Sequence, residues 1–278
     1  MQTKVVKIDS ANIDDAAMKE ACDLIRAGEL VAFPTETVYG LGADALHPEA
    51  SKKIYAAKGR PSDNPLIVHI SKFEDLVSIA REVPPQAKKL ADAFWPGPLT
   101  MIVWKNDRVP YETTGGMDTV AIRMPKHPVA LRLIEGSGCL IAAPSANTSG
   151  KPSPTEASHV ALDMDGRIPM ILDGGPVGIG IESTIVDLSE ETPMILRPGY
   201  ITQEMLQEVL GEKVCMDPGI IASDSTRKPK APGMKYKHYA PKADLVLVEG
   251  ETDKVVARIN ELVREKPVSY THLTLPTK

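Results

Sequence analysis

The chain has 278 residues, 42% of them hydrophobic and 25% charged, and a net charge of −5. That length holds one large core, or a main domain with a smaller one; the mild acidity excludes a chain built as a whole around nucleic acid or anionic membrane and leaves room only for local basic patches. No apolar run reaches the ~18 residues of a membrane span, no signal-peptide pattern is present, and Cys22, Cys139 and Cys215 are scattered without metal spacing. Reduced thiols in the cytoplasm fit that pattern.

In chain order, Ile13, Ala16, Ala17, Ala21, Leu24 and Ile25 recur at helical spacing and Gly28 is a stop. A short buried strand over 29–33 follows. It runs into PTETVYGLG (34–42), read as a strand-to-helix turn with helix-like sequence beyond it. Residues 49–58 predict a helix ending at Gly59, PLIVHI (65–70) a strand, and 73–94 two helices broken at Pro84 and Pro85. LTMIVW (99–104) and TVAIRM (119–124) are strand-like about a polar turn with Gly115 and Gly116. A helix over 128–135 leads to the strand CLIAAP (139–144), then a Ser/Asn/Gly/Pro loop (145–155) and another helix. Strands near 168–172, 183–188 and 194–196 and a helix over 202–210 complete the unit. Several strand pairs lack an intervening helix, so an α/β or α+β domain with a mixed sheet is expected over residues 1–212.

Residues 213–242 change character. Within them STRKPKAPGMKYKHYAPK (225–242) carries six cations, no acid and three prolines, as a linker would. ADLVLVEG (243–250) and 251–266 read as one strand and one helix, too little for a core. Residues 243–267 are therefore expected to be the start of a truncated C-terminal domain, and 268–278 an artefactual tail. No GxxxxGK[ST] loop and no GxGxxG after a strand occurs, so a nucleotide must be held some other way.

Polar groups concentrate where strands end. Thr35, Glu36, Thr37 and Tyr39 form one cluster, which could simply cap orphan amides. Lys58 and Arg60 flank Gly59, with Asn64 before Pro65; they suit either a solvated helix C-terminus or a paired anion clamp. Arg123, near the end of its strand with Thr119 at the start, suits a structural ion pair or a carboxylate pocket. Ser145, Asn147, Ser149 and Ser153 occupy a loop after a buried strand, where ligands often bind. Ser183, Thr184 and Arg197 complete the set. His69 alternates with Ile67 and reads more readily as a core residue than a ligand, and no second ligand stands at metal spacing.

PTETVYGLGADA, KGRPSDNPLIVHI, FWPGPLT, VAIRMP, APSANTSGKPSPT and ESTIVD…LRPGY stand in the order and spacing of the YrdC family. The linker APGMKYKHYAP resembles that of its longer, two-domain members, and the resemblance spans about residues 8–265. It implies a twisted mixed α/β sheet with flanking helices and a large basic cavity. It implies a nucleotidyltransferase that joins L-threonine, bicarbonate and ATP into L-threonylcarbamoyl-AMP, releasing pyrophosphate. Partner proteins then modify an adenosine beside the tRNA anticodon. By the same resemblance Lys58, Arg60, Ser145 and Asn147 are catalytic. Thr37, His69, Arg123, Ala143 and Ser183 hold threonine. Arg60, Asn64, Thr119, Ser145, Ser153, Arg197 and the linker residue Tyr236 lie at ATP. Mg²⁺ is expected with the ATP, without a dedicated protein site. Two rivals stand beside this reading: an RNA-binding module with weak tRNA contact and no turnover, and a carbamoyl-transfer domain. Acidic charge and only 4% aromatic residues weigh against the first; absent fused domains weigh against the second.

Overall fold

The computed structural model describes residues 2–221 and 246–265. Of the linker expected over 213–242, residues 213–221 are described and hold a short strand, Cys215–Met216, and a short helix, Pro218–Ile221; residues 222–242, Tyr236 among them, and the tail 268–278 lie outside the described residues. The chain divides into two compact units, Met1–Ala240 and Pro241–Lys278.

In the first unit β1 (Lys4–Lys7) precedes α1 (Asp15–Arg26). Asp14 caps α1 by accepting from the amides of Ala16 and Ala17, and Met18, Ala21, Cys22 and Ile25 make its buried face. β2 (Val31–Phe33) turns straight back into β3 (Gly40–Asp44). α2 (Pro48–Lys58) opens on proline and stops at Gly59, whose φ of +61° is left-handed. β4 (Ile67–His69) leads to α3 (Phe73–Ile79) and α4 (Pro85–Phe94), separated by the predicted proline pair. Then come β5 (Leu99–Trp104), the short α5 (Tyr111–Thr114), β6 (Thr119–Arg123), α6 (Pro128–Ser137), β7 (Ile141–Ala142) and α7 (Ala157–Met164). The unit closes with β8 (Met170–Asp173), β9 (Thr184–Asp187), β10 (Met194–Arg197), α8 (Gln203–Leu210), β11 (Cys215–Met216) and α9 (Pro218–Ile221).

The strands form one sheet in the order β1-β8-β2-β3-β7-β4-β6-β5-β9-β10-β11. Pairings are mixed: β1–β8, β2–β8, β4–β6, β5–β9 and β10–β11 are parallel, the others antiparallel. A mixed α/β sheet is what the helix-free strand pairs predicted. Alternation splits the apolar residues between its faces. Ala32, Leu41, Ala43 and Val68 join the large cluster that includes Ile54, Leu76, Leu90, Val160 and Leu206. Val31, Phe33 and Ile141 join the cluster with Met18, Cys22, Ile25 and Leu133.

Two expectations are overturned. PTETVYG is a hairpin turn, not a strand-to-helix turn, and the sequence beyond it is β3. Glycine is a poor strand former, which hid the strand. It is there because a Cβ at Gly42 would stand 2.7 Å from both Phe33 Cε1 and Ile141 Cγ2; the strand needs bare backbone where two large side chains cross it. In the second unit the strand expected over 243–250 is not formed in its described part: residues 246–249 have no strand, and Val246 and Leu247 are 62% and 78% exposed. A short apolar run with no strand to pair with among the described residues gains nothing by extending. The helix expected after it is α10 (Thr252–Glu265), and none of its side chains is buried.

Candidate functional site

One row of side chains crosses three central strands. Parallel register pairs His69 of β4 with Arg123 of β6, and antiparallel register pairs Arg123 with Thr100 of β5. Register partners project from the same face, so this face carries an imidazole, a guanidinium and a hydroxyl in line. The neighbouring row on it is apolar: Ile67, Ala121 and Ile102 belong to a separate small cluster with Ile185 and Leu196. Ala143, at the end of β7, donates its amide to Ile67 O at 2.8 Å and borders that floor.

Arg123 is 4% exposed. The β2–β3 turn reaches it twice. Arg123 Nη1 donates to Thr37 Oγ1 at 2.9 Å, and Nη2 stands 2.7 Å from Glu36 Oε1. The second contact is an ion pair and not a hydrogen bond, and Glu36 Oε1, Arg123 Nε and Arg123 Nη2 are buried with no hydrogen-bond partner among the described residues. The turn is stiff: Thr35 Oγ1 bonds to Thr37 Oγ1 at 2.9 Å and donates to Val38 O at 2.7 Å, and Glu36 Oε2 accepts from the Lys126 amide at 2.9 Å. His69 packs edge-on to Phe33, with Nδ1 3.1 Å from Ile67 O. Burial, reinforced by the Arg123 charge, presses its pKa down to about 3, so the ring is neutral at pH 7.

Farther along, Thr100 Oγ1 meets Ser183 Oγ at 2.8 Å, and Arg197 holds Ser183 through its carbonyl and its hydroxyl, each at 3.1 Å. Burial lowers the Arg197 pKa to about 10; Glu182 opposes that, while Arg123 and Arg60 add to it. It stays a cation, within electrostatic reach of two more.

The second arm is built by α2 and the loop after β7. Lys58 is 3% exposed, and its Nζ donates to the carbonyls of Ser145 and Asn147. Burial, then Arg60, holds its pKa well below the usual lysine range, with Asp163 pulling the other way. Asn147 Nδ2 donates to Thr148 O and Lys151 O, both at 2.8 Å, and its Oδ1 accepts from Ser145 Oγ at 2.5 Å. Asp163 of α7 fastens the loop from outside by accepting from the Thr148 amide and hydroxyl and pairing with Lys151. Arg60 donates to Pro65 O at 3.0 Å and Asn64 O at 3.4 Å.

The two arms touch where the Ala146 amide donates to Tyr39 O and Gly40 bridges Ser145. Thr37, His69, Arg123 and Ser183 therefore share one arm, and Lys58, Arg60, Ser145, Asn147 and Asn64 the other. Ser153 joins Glu182 at 2.5 Å, next to Ser183. Thr119 lies on the same face of β6 as Arg123 but four residues earlier, about 13 Å along the strand. Tyr236 lies outside the described residues. Sequence reading missed Thr100, for which a lone hydroxyl inside LTMIVW was the available signal, and gave Glu36 no role beyond its place in the turn. Among the described residues no group of three or more His, Cys, Asp or Glu could hold a metal ion, and no helix is long and apolar enough to cross a membrane.

Fold and site define a mixed α/β protein with buried cations and hydroxyls gathered on one face of its sheet. Comparison with known proteins narrows that class. The family model for Sua5, YciO and YrdC, described as "Telomere recombination", matches residues 23–199, and one described as "Threonylcarbamoyl-AMP synthase, C-terminal domain" matches residues 201–275. The chain is 55% identical over 251 residues to the threonylcarbamoyl-AMP synthase of Pyrococcus abyssi, covering 90% of this chain and 73% of that protein. It is 53% identical to that of Bacillus subtilis, covering 91% and 72%. The crystal structure of P. abyssi Sua5 complexed with L-threonine superposes with a TM-score of 0.90 at 52% identity, covering 95% of this chain and 76% of that one. This chain belongs to the Sua5/YciO/YrdC family.

Proposed function

We propose that this protein joins L-threonine, bicarbonate and ATP into L-threonylcarbamoyl-AMP and pyrophosphate, in the cytoplasm, for proteins that modify the adenosine beside the tRNA anticodon. The observation that carries the reading is the Arg123 fork. Nε and Nη2 form one planar edge, buried and without a hydrogen bond among the described residues, with Glu36 Oε1 standing 2.7 Å from Nη2 as an ion pair, and that edge matches a carboxylate in bidentate geometry. Thr37, Thr100 and Ser183 bring hydroxyls to the same place, while neutral His69 and the floor of Ile67, Ala121 and Ala143 suit threonine's short side chain.

The other arm takes the anions. An ammonium has three hydrogens, and Lys58 spends two on carbonyls, which leaves one for bicarbonate or phosphate. Arg60, Asn64, Ser145, Asn147, Ser153, Thr119 and Arg197 hold the ATP in this reading, with Tyr236 added by the family resemblance alone. Threonine's amine adds to bicarbonate, and the resulting carbamate attacks the α-phosphorus in line as pyrophosphate leaves. No covalent enzyme intermediate is needed, so catalysis is positioning plus stabilisation of phosphoryl charge. Among the described residues no cluster of three or more acids, histidines or cysteines could hold a metal ion, so Mg²⁺ would come with the nucleotide and would supply neutralisation of phosphate charge.

The test is pyrophosphate release from ATP with threonine or bicarbonate left out in turn. Release should require both. Equal release without threonine would sink the reading.

A further inference from the structure

Folded proteins leave few buried polar atoms without a partner, and each such atom calls for a reason. Among the described residues there are three, and all sit in one ion pair: Glu36 Oε1, Arg123 Nε and Arg123 Nη2. Two donors and a carboxylate oxygen that meet as an ion pair but make no hydrogen bond are the complement of a zwitterion. An α-amino acid carries a carboxylate for the fork and an ammonium that the fork repels.

Resting on the reaction above, we propose that Glu36 binds the ammonium of threonine through Oε1 and then takes its proton. The turn aims it for this. Glu36 Oε2 is held by the Lys126 amide and its carbonyl by the Ile179 amide, so Oε1, which meets Arg123 Nη2 only as an ion pair, is the carboxylate end still open to a hydrogen-bond donor. The next residue, Thr37, orients Arg123, so one rigid turn places both halves of the receptor. The neighbouring bases are worse placed. His69, with its pKa pressed to about 3, holds a proton poorly, and the nitrogen of Lys58 is tied to two carbonyls.

The step balances. R–NH3⁺ and the Glu36 carboxylate give R–NH2 and the neutral acid. The freed lone pair forms the N–C bond to bicarbonate; the C–OH bond breaks, and the departing oxygen leaves as water with one amine proton, giving R–NH–COO⁻. The proton on Glu36 returns to solvent before the next cycle.

Glu36→Gln keeps the size and an acceptor for the Lys126 amide but removes the charge. Calorimetry with L-threonine and with 2,3-dihydroxybutanoate, in which a hydroxyl replaces the ammonium, reads the binding role. The variant should bind threonine at least tenfold more weakly, yet bind the deaminated acid as well as or better than before, because Arg123 has lost its internal counter-ion. If Glu36 only supports Arg123, both ligands weaken together and the proposal is overturned; unchanged threonine binding overturns it too. At saturating threonine the variant's pyrophosphate release should fall about a hundredfold, and an unchanged rate removes the proton-accepting role. Glu36→Asp, which keeps the carboxylate, should restore part of the preference for threonine, and an unfolding midpoint checks that each variant folds. A parent protein that binds no threonine fails the reaction itself, whereas a parent that binds it beside an indifferent Glu36→Gln fails this inference alone.

Discussion

Lys58 and Arg123 are both buried cations, 3% and 4% exposed, and they are treated oppositely. Lys58 has most of its hydrogens on protein carbonyls, so its charge ties α2 to the loop after β7. Arg123 gives one nitrogen to Thr37 and leaves Nε and Nη2 without a hydrogen bond, with Nη2 held only by its ion pair to Glu36. A buried cation satisfied by its own fold behaves as a rivet that also lends its field; one left unsatisfied stores its desolvation cost until a ligand arrives. Burial alone does not separate the two, but the tally of hydrogen bonds does.

The contrast can be broken by exchanging the parts. Arg123→Lys keeps the charge and loses the planar fork, so threonine-dependent pyrophosphate release should fall by about a hundredfold or more, roughly 3 kcal/mol, while ATP binding, read by calorimetry, stays within a few-fold. Equal loss of both would mean that Arg123 is a rivet as well. Lys58→Met, or Arg60→Ala, should raise the barrier by roughly 2–4 kcal/mol. Lys58→Met should in addition lower the unfolding midpoint, because two carbonyls lose their donor; a loss of activity under tenfold counts against the anion-binding role.

His69 sharpens the comparison through pH. Its folded pKa, about 3, lies below the ordinary value of 6.5. The unfolded chain therefore takes up a proton first as pH falls, so this contribution is whole above pH 6.5 and drains away toward pH 3. Between pH 7 and pH 4.5 the parent should lose roughly 2–3 kcal/mol more stability in urea than His69→Asn does. Parallel losses would show that the ring is not held neutral. Asp163→Ala releases Thr148 and Lys151 from outside and should cost about 1 kcal/mol of stability, with a several-fold rise in KM for ATP and little change for threonine. The smallest effect belongs to α10: Glu261→Ala removes an exposed pair with Arg258 and should shift that helix by less than about 0.5 kcal/mol, read by circular dichroism.

Much of this was legible in the chain. Helices with one apolar face and strands with solid apolar runs, such as α1, α2, α4 and β5, stood out because their signals are local: period, cap, glycine stop and proline break. Lys58 and Arg60 could be paired on sight, since one glycine separates them. β3 could not be seen, because its glycines answer to Phe33 and Ile141, one far away in sequence. Thr100 and Glu36 were present but mute for the same reason: a hydroxyl in a strand or an acid in a turn acquires a role only when another segment lies beside it.

By itself the sequence determined most of the element types, the mixed sheet and the supply of cations and hydroxyls, since each depends on residues within a turn or two of one another. Only the tertiary structure decided that His69, Arg123 and Thr100 stand in one row, and that Lys58 gives two hydrogens to carbonyls while Arg123 meets Glu36 only as an ion pair. Strand register and hydrogen-bond satisfaction join residues dozens of positions apart, and no local pattern encodes which partners meet.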